Sequence, residues 1–270
     1  MSDDITDGHP KTFVFDLDGV VYLGGAAIPG AGATLSTLKD LGHQILFATN
    51  NSSRAVSTVV DTITGRTGFV PDPGSVITSG MVAAHLIRDH DEICLVLGSV
   101  ELEDTLVEAG ITVTTDPYAA TVLVVGLDRR LSYERLTAAV LAVNNGARFM
   151  ATNNDPTFPM PDGQHPGGGA IVAAVERATG KAPTICGKPS APMRMMIQQQ
   201  ITNDAVWMIG DRPDTDLALA AAAGWGKILV LTGVASADDV LPADLVPDHT
   251  IPSIADLPSL VTRKLSDLGG

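Results

Sequence analysis

The stretch Phe13-Val14-Phe15-Asp16-Leu17-Asp18-Gly19-Val20 is an apolar run that delivers two carboxylates, two residues apart, into a glycine turn. Large apolar residues followed abruptly by acids and Gly read as a buried strand that leaves its sheet at Asp16. Two like charges this close are costly to bury unless a cation or a shared proton offsets their repulsion. A hard divalent cation supplies that offset, and Asp211, at the end of another apolar run, can complete the set. The competing reading, a plain turn or helix cap made by Asp16 and Asp18, leaves the second acidic cluster without a purpose.

Working outward, short aliphatic and β-branched runs alternate with longer Ala- and Leu-rich stretches at helical spacing, the pattern of repeated βα units and a parallel sheet. Strands are expected at 13–16, 44–49, 92–98, 121–126, 148–153, 184–187, 206–211 and 227–232, and helices at 33–41, 82–88, 102–109, 133–144, 170–178, 193–201 and 216–223. Gly42, Gly110, Gly146, Gly180 and Gly224 each follow a helical stretch, where a left-handed residue commonly ends it. Three strand ends carry clustered polar groups: Asp16-Leu17-Asp18-Gly19, Thr49-Asn50-Asn51 and the segment from Gly210 to Asp216. Ligands in open α/β sheets bind beyond such carboxyl ends. Residues 80–183 have their own βα alternation but none of these polar ends. They read as an inserted second domain, with 1–79 and 184–270 forming the core.

A chain of 270 residues with 45% hydrophobic and 18% charged residues, and a mean hydropathy of +0.22, is too apolar for intrinsic disorder. Its net charge of −14 repels nucleic acid and anionic lipid, so neither is expected as a partner. An anionic ligand must then be held by local cations, a metal or helix N-termini. The two cysteines, Cys94 and Cys186, sit in apolar runs and read as buried small hydrophobes, not as a disulfide or zinc site. The start Met1-Ser2-Asp3-Asp4-Ile5 lacks the basic region of a signal peptide, and no apolar run is long enough to span a bilayer. A cytoplasmic location is the expectation.

Asp16-Leu17-Asp18-Gly19-Val20 resembles the first motif of the haloacid dehalogenase superfamily of phosphohydrolases. The others follow in order: Thr49-Asn50 resembles the second, Lys188 in Gly187-Lys188-Pro189-Ser190 the third, and Gly210-Asp211-Arg212-Pro213-Asp214-Thr215-Asp216 the fourth. The longer strings from Thr49 to Arg54 and from Ala151 to Pro159 are similar to the subfamily of NagD-like and 4-nitrophenylphosphatase-like enzymes. The resemblance implies a Rossmann-like, doubly wound parallel-sheet core with an α/β cap of the C2 type inserted between the second and third motifs. It implies magnesium-dependent hydrolysis of a small phosphomonoester, such as a nucleotide, sugar, glycerol or aryl phosphate.

Within that resemblance Asp16 is the nucleophile, forming an aspartyl phosphate, and Asp18 is the general acid and base. Asp16 and Asp211 hold Mg2+ through side chains and Asp18 through its backbone carbonyl. Thr49, Asn50 and Lys188 hold the phosphoryl oxygens, and Arg212, Pro213, Asp214 and Thr215 line the phosphate site. Asp216 is open between a partner behind the metal ligands and a first-turn acid favoured by the helix dipole. Asn153, Asn154, Asp155 and His165 are candidates for selectivity, beside the reading of 153–156 as an Asx/Pro turn. A homodimer through the cap is a further arrangement the resemblance implies.

The alternative is a catalytically idle phosphate-binding or regulatory module on the same fold, against which intact Asp16, Asp18, Lys188 and Asp211 argue. A dinucleotide oxidoreductase fails because Gly30-Ala31-Gly32 runs on to Leu35 where a third small residue is needed. Gly167-Gly168-Gly169, ahead of a helical stretch, reads as a turn in preference to an anion cradle. Glu101, Glu103 and Asp104 read as the acidic first turn of a helix.

Overall fold

The computed structural model describes residues 5–88, 90–160 and 162–262; the N-terminal reading of Met1–Asp4 lies outside them. The chain divides by internal contacts into two compact units, one of Met1–Ala48, Val59–Val76 and Arg194–Gly270, the other of Thr49–Thr58 and Ile77–Met193. Residues 49–58, 77–79 and 184–193, all expected in the core, thus fall with the second unit. Within it, Thr184–Ile185 pairs with Arg148–Ala151 in the register Thr184↔Met150.

The first sheet runs His249–Ile251, Gly226–Val230, Val206–Gly210, Thr12–Phe15, Gln44–Thr49 and Val76–Thr78. Thr12–Phe15, buried at every position, is central and pairs in parallel with both Val206–Gly210 and Gln44–Thr49. Its apolar run is covered on both faces, as parallel sheets require. Phe15 lies 6.1 Å from Phe47, and Phe47 lies 6.3 Å from Phe69, linking strand to strand and strand to loop. Helix Ala31–Asp40 buries Ala31, Thr34, Leu35 and Leu38, the i, i+3, i+4, i+7 spacing of one apolar stripe. A Cβ at Gly32 would fall 2.0 Å from the Thr67 carbonyl, so the Gly-Ala-Gly string serves close backbone packing.

The second unit has its own parallel sheet, ordered Thr184–Ile185, Arg148–Ala151, Val122–Val125, Ile93–Leu97 and Thr112–Thr114. Leu95, Leu97, Leu123, Val125 and Phe149 from its strands share one core with Ala139, Val143, Val172 and Val175 of helices Tyr133–Asn144 and Gly168–Thr179. Each such side chain taken from water stabilises the unit by about 1.5–3 kcal/mol. Ser99 and Ser132 cap their helices by accepting from Leu102 N–H and Arg135 N–H, and Glu101 and Glu103 occupy the first turn of Val100–Glu108.

All five glycines expected to end helices have positive φ, from 67° at Gly180 to 107° at Gly146. Helix Val56–Thr67 was not expected, because Val-Ser-Thr-Val-Val-Asp-Thr-Ile-Thr is rich in β-branched residues. Val59 and Ile63, one helical turn apart and buried, anchor it against that propensity. Among the described residues no helix is long and apolar enough to cross a membrane.

Candidate active site

In the first unit, neighbouring parallel strands deliver Asp16 and Asp211. The strand Thr12–Phe15 is prolonged by one bond, from Asp16 N–H to the Ile209 carbonyl at 2.9 Å, and Val206–Gly210 ends just before Asp211. Asp216 comes from the following turn. Oxygens of Asp16, Asp211 and Asp216 all lie within 4.8 Å of one another, and the three residues are 8%, 2% and 0% exposed. Three buried carboxylates so close need a cation or a shared proton to offset their repulsion. Their hard oxygen donors fit Mg2+, which takes a few carboxylates and keeps water or phosphate on its other positions.

Asp18 is exposed, and its carboxylate is outside this group of three. It sits in a tight loop in which the Leu17 carbonyl accepts from the N–H groups of Val20, Val21 and Tyr22, and Gly19 N–H donates to the Tyr22 carbonyl at 2.7 Å. Gly19 has φ +87°, and a Cβ there would meet Asp211 Oδ2 at 2.5 Å.

The fourth motif forms a π-helical turn, Pro213–Leu217, before helix Ala218–Ala223. Single π turns widen a helix start and often mark functional sites. Here the turn brings Asp216 back over the strand end: Asp216 Oδ2 accepts from Arg212 N–H at 3.2 Å, and a Cβ on Gly210 would fall 2.2 Å from the Asp216 Cβ. That packing accounts for Gly210. Arg212 makes a two-pronged pair with Asp214 at 3.3 and 3.1 Å, Pro213 opens the turn, and Thr215 is buried. With the Asp214 side chain 67% exposed, the pair contributes under about 1 kcal/mol.

In the second unit Asn50 is a hub. Its Oδ1 accepts from Lys188 N–H at 2.6 Å, and its Nδ2 faces the Lys188 carbonyl at 3.2 Å and the Asp155 carboxylate at 3.3 Å. Its own carbonyl accepts from Asn153 Nδ2 at 2.9 Å and from Ser79 Oγ at 2.8 Å. A Cβ at Gly187 would fall 2.5 Å from Asn50 Oδ1, so only glycine lets the Lys188 loop approach. Thr49 and Lys188 are both buried, and the Thr49 hydroxyl accepts from Asn51 N–H at 3.1 Å.

One reading from the sequence changes here. The inserted segment does present a polar strand end: Thr152, hydrogen-bonded to Ser52, and Asn153, bonded to Asn50, follow strand Arg148–Ala151. From the sequence Asn153 is only a selectivity candidate, since an Asx/Pro turn gives the same string, and Asn153 Oδ1 does accept from Asp155 N–H. The preference for a turn over an anion cradle at Gly167–Gly169 stands, and close packing gives its reason. The N–H groups of Gly167 and Gly169 donate to Pro156 and Asp155 carbonyls, and Cβ atoms at these glycines would strike the same segment, so they serve packing.

Thr232, Gly233 and Val234 were missed. Val234 N–H donates to Asp211 Oδ2 at 2.7 Å, and the Thr232 hydroxyl donates to the Gly19 carbonyl at 2.5 Å. The signal was present, since the strand expected at 227–232 also ends in a small polar pair, Thr-Gly. Burial pushes the thiols of Cys94 and Cys186 up to about 12, which makes both inert as nucleophiles.

Residues 13–112 match the family model described as haloacid dehalogenase-like hydrolase, and residues 185–257 match a second HAD-hydrolase-like model. An acid sugar phosphatase of Staphylococcus haemolyticus is 37% identical over 247 residues, covering 89% of this chain and 92% of the relative. The chain belongs to the haloacid dehalogenase-like hydrolases. It is a phosphatase of the subfamily that includes NagD-like and 4-nitrophenylphosphatase-like enzymes. Solved structures of the family agree. A 4-nitrophenylphosphatase from Thermotoga maritima superposes with a TM-score of 0.87 at 30% identity, covering 95% of this chain and 99% of that one. A glycerol phosphate phosphatase from Mycobacterium tuberculosis in complex with magnesium gives 0.86 at 32% identity, covering 95% and 78%.

Proposed function

We propose that this phosphatase hydrolyses a small polyol or sugar phosphomonoester with magnesium, through a phosphoryl group carried transiently by Asp16. The observation that carries the reading is the buried trio of Asp16 and Asp211 at adjoining strand ends and Asp216 from the following turn, an arrangement suited to a hard divalent cation. The acid sugar phosphatase and the glycerol phosphate phosphatase among its relatives support the substrate class.

Asp16 attacks phosphorus, and the bond from phosphorus to the substrate oxygen breaks. Asp18, exposed and outside the metal group, gives its proton to the leaving alkoxide. It then takes a proton from the water that attacks the aspartyl phosphate, releasing inorganic phosphate and restoring Asp16. Asp16 and Asp211 would hold the metal through side chains and Asp18 through its backbone carbonyl, with the Asp216 carboxylate, fixed by Arg212 N–H, beside them. When bound, magnesium offsets the charge of Asp16 against the anionic phosphate and withdraws charge from the phosphoryl oxygens. Thr49 and Lys188 take phosphoryl oxygens, Asn50 holds the Lys188 main chain, and Arg212 to Thr215 border the phosphate. The inserted segment 80–183 acts as the cap that selects the leaving group.

The test is release of inorganic phosphate from a panel of phosphomonoesters, with and without magnesium, by wild type and Asp16→Asn. Turnover that needs both the metal and Asp16, and that ranks sugar and glycerol phosphates first, is expected. Metal-independent turnover, or activity retained in Asp16→Asn, would defeat the mechanism.

A further inference from the structure

We propose that the turn Thr232-Gly233-Val234-Ala235, which follows strand Gly226–Val230, is a backbone clamp that sets the Asp211 carboxylate for metal binding. This rests on the magnesium reading above and adds positioning residues to it. The turn grips Asp211 at two points: Val234 N–H donates to Oδ2 at 2.7 Å, and Ala235 N–H donates to the Asp211 carbonyl at 3.0 Å. A charge-assisted bond from an amide fixes which carboxylate oxygen faces the turn and which faces Asp16 and Asp216.

Space enforces the same orientation. A Cβ at Gly233 would lie 1.8 Å from Asp211 Oδ2 and 2.4 Å from its Cγ, and a Cβ at Gly19 would lie 2.5 Å from Oδ2. The carboxylate is therefore caged between the α-carbons of two glycines. An alanine at 233 cannot be accommodated without driving the Asp211 carboxylate out of its place. The φ of Gly233 is not in the left-handed region, unlike that of Gly19, so what requires glycine at 233 is clearance and not backbone conformation.

The two sides of the cage are joined, since the Thr232 hydroxyl donates to the Gly19 carbonyl at 2.5 Å. Gly19 follows Asp18 directly, so the clamp also fixes the loop that carries the Asp18 carbonyl and carboxylate. The roles are separable: Gly233 and Val234 act on Asp211, and Thr232 acts on the Asp18–Gly19 loop.

The experiment measures magnesium binding on purified wild type, Gly233→Ala, Thr232→Val and Thr232→Ser. Its readouts are the heat of titration and the rise of melting temperature with magnesium concentration. The expected result for Gly233→Ala is a loss of magnesium affinity of about ten-fold or more, the range usual for groups that orient metal ligands. Its metal-free melting temperature should fall, because the Asp211 carboxylate that must move is buried, so affinity is measured well below that temperature on folded protein. Thr232→Val should weaken binding, and Thr232→Ser, which keeps the hydroxyl, should restore it. If Gly233→Ala does not fold, the Val and Ser variants decide the matter. Folded variants that bind magnesium as tightly as wild type overturn the clamp. A wild type that neither binds magnesium nor needs it for turnover overturns instead the magnesium reading on which the clamp rests.

Discussion

At the scale of single residues, Asn50 shows how a short polar side chain organises a loop it does not belong to. Its carboxamide meets both the N–H and the carbonyl of Lys188, and its donors also face Asp155. Asn50→Ala frees the Lys188 main chain and, with Lys188 holding a phosphoryl oxygen as proposed, should cost roughly 10- to 100-fold in kcat. Asn50→Asp keeps the acceptor for Lys188 N–H but sets an anion against the Asp155 carboxylate, so its loss should be the larger. Steady-state kinetics on the best panel substrate would show this ranking, and equal wild-type kcat in both variants would remove Asn50 from the site. The type and place of Asn50 were legible in the sequence as part of a polar strand end. Its partners were not, because Lys188 and Asp155 lie 138 and 105 residues away along the chain.

Elements reveal where local signals decide and where packing overrides them. Helix Tyr133–Asn144 begins and ends where its Ser132 cap and amphipathic spacing put it, whereas Val56–Thr67 forms against its β-branched composition. The ends of the eight expected strands were legible to within one or two residues, whereas the three-residue strands Val76–Thr78, Thr112–Thr114 and His249–Ile251 were not expected, being too short to show a period. The pairing of Thr184–Ile185 with Arg148–Ala151 was not legible, because partner choice in a parallel sheet has no local code. The entrance to the central strand carries its own titration. His43 Nδ1 accepts from Lys11 N–H at 3.1 Å and its ring stands edge-on to Phe13, so the fold needs this nitrogen unprotonated. Burial holds the His43 imidazole below its ordinary range, with the charge of Lys11 adding to the effect and Asp7, paired to Lys11, opposing it. In the unfolded chain His43 takes a proton near pH ~6.5, and the folded chain resists it to lower pH. Stability is therefore full above that pH and declines as pH falls through it. Thermal melts from pH 7.5 to 5 should show the decline, and His43→Asn, which keeps an acceptor without a titrating ring, should flatten it. An equal slope in the variant would assign the pH dependence elsewhere.

For the whole molecule, a net charge of −14 acts on substrate and metal with opposite sign. A phosphomonoester dianion approaches against the overall field, while a divalent cation is drawn in by it. Salt screens both, since the Debye length falls to about 10 Å at 0.1 M. Raising ionic strength from about 0.02 to 0.2 M at saturating magnesium should therefore raise kcat/KM for the phosphate ester. The magnesium concentration for half-maximal activity should move upward over the same range. A gain in kcat/KM beside weakened metal binding separates a field effect from a general effect of salt on the fold, which would lower kcat/KM as well. A kcat/KM that instead falls with salt at saturating metal would mean that substrate meets a locally positive field. Lys188 and Arg212 would then be the cations that reverse the molecule's charge where the phosphate arrives, and neutralising Arg212 by Arg212→Gln should reduce that slope.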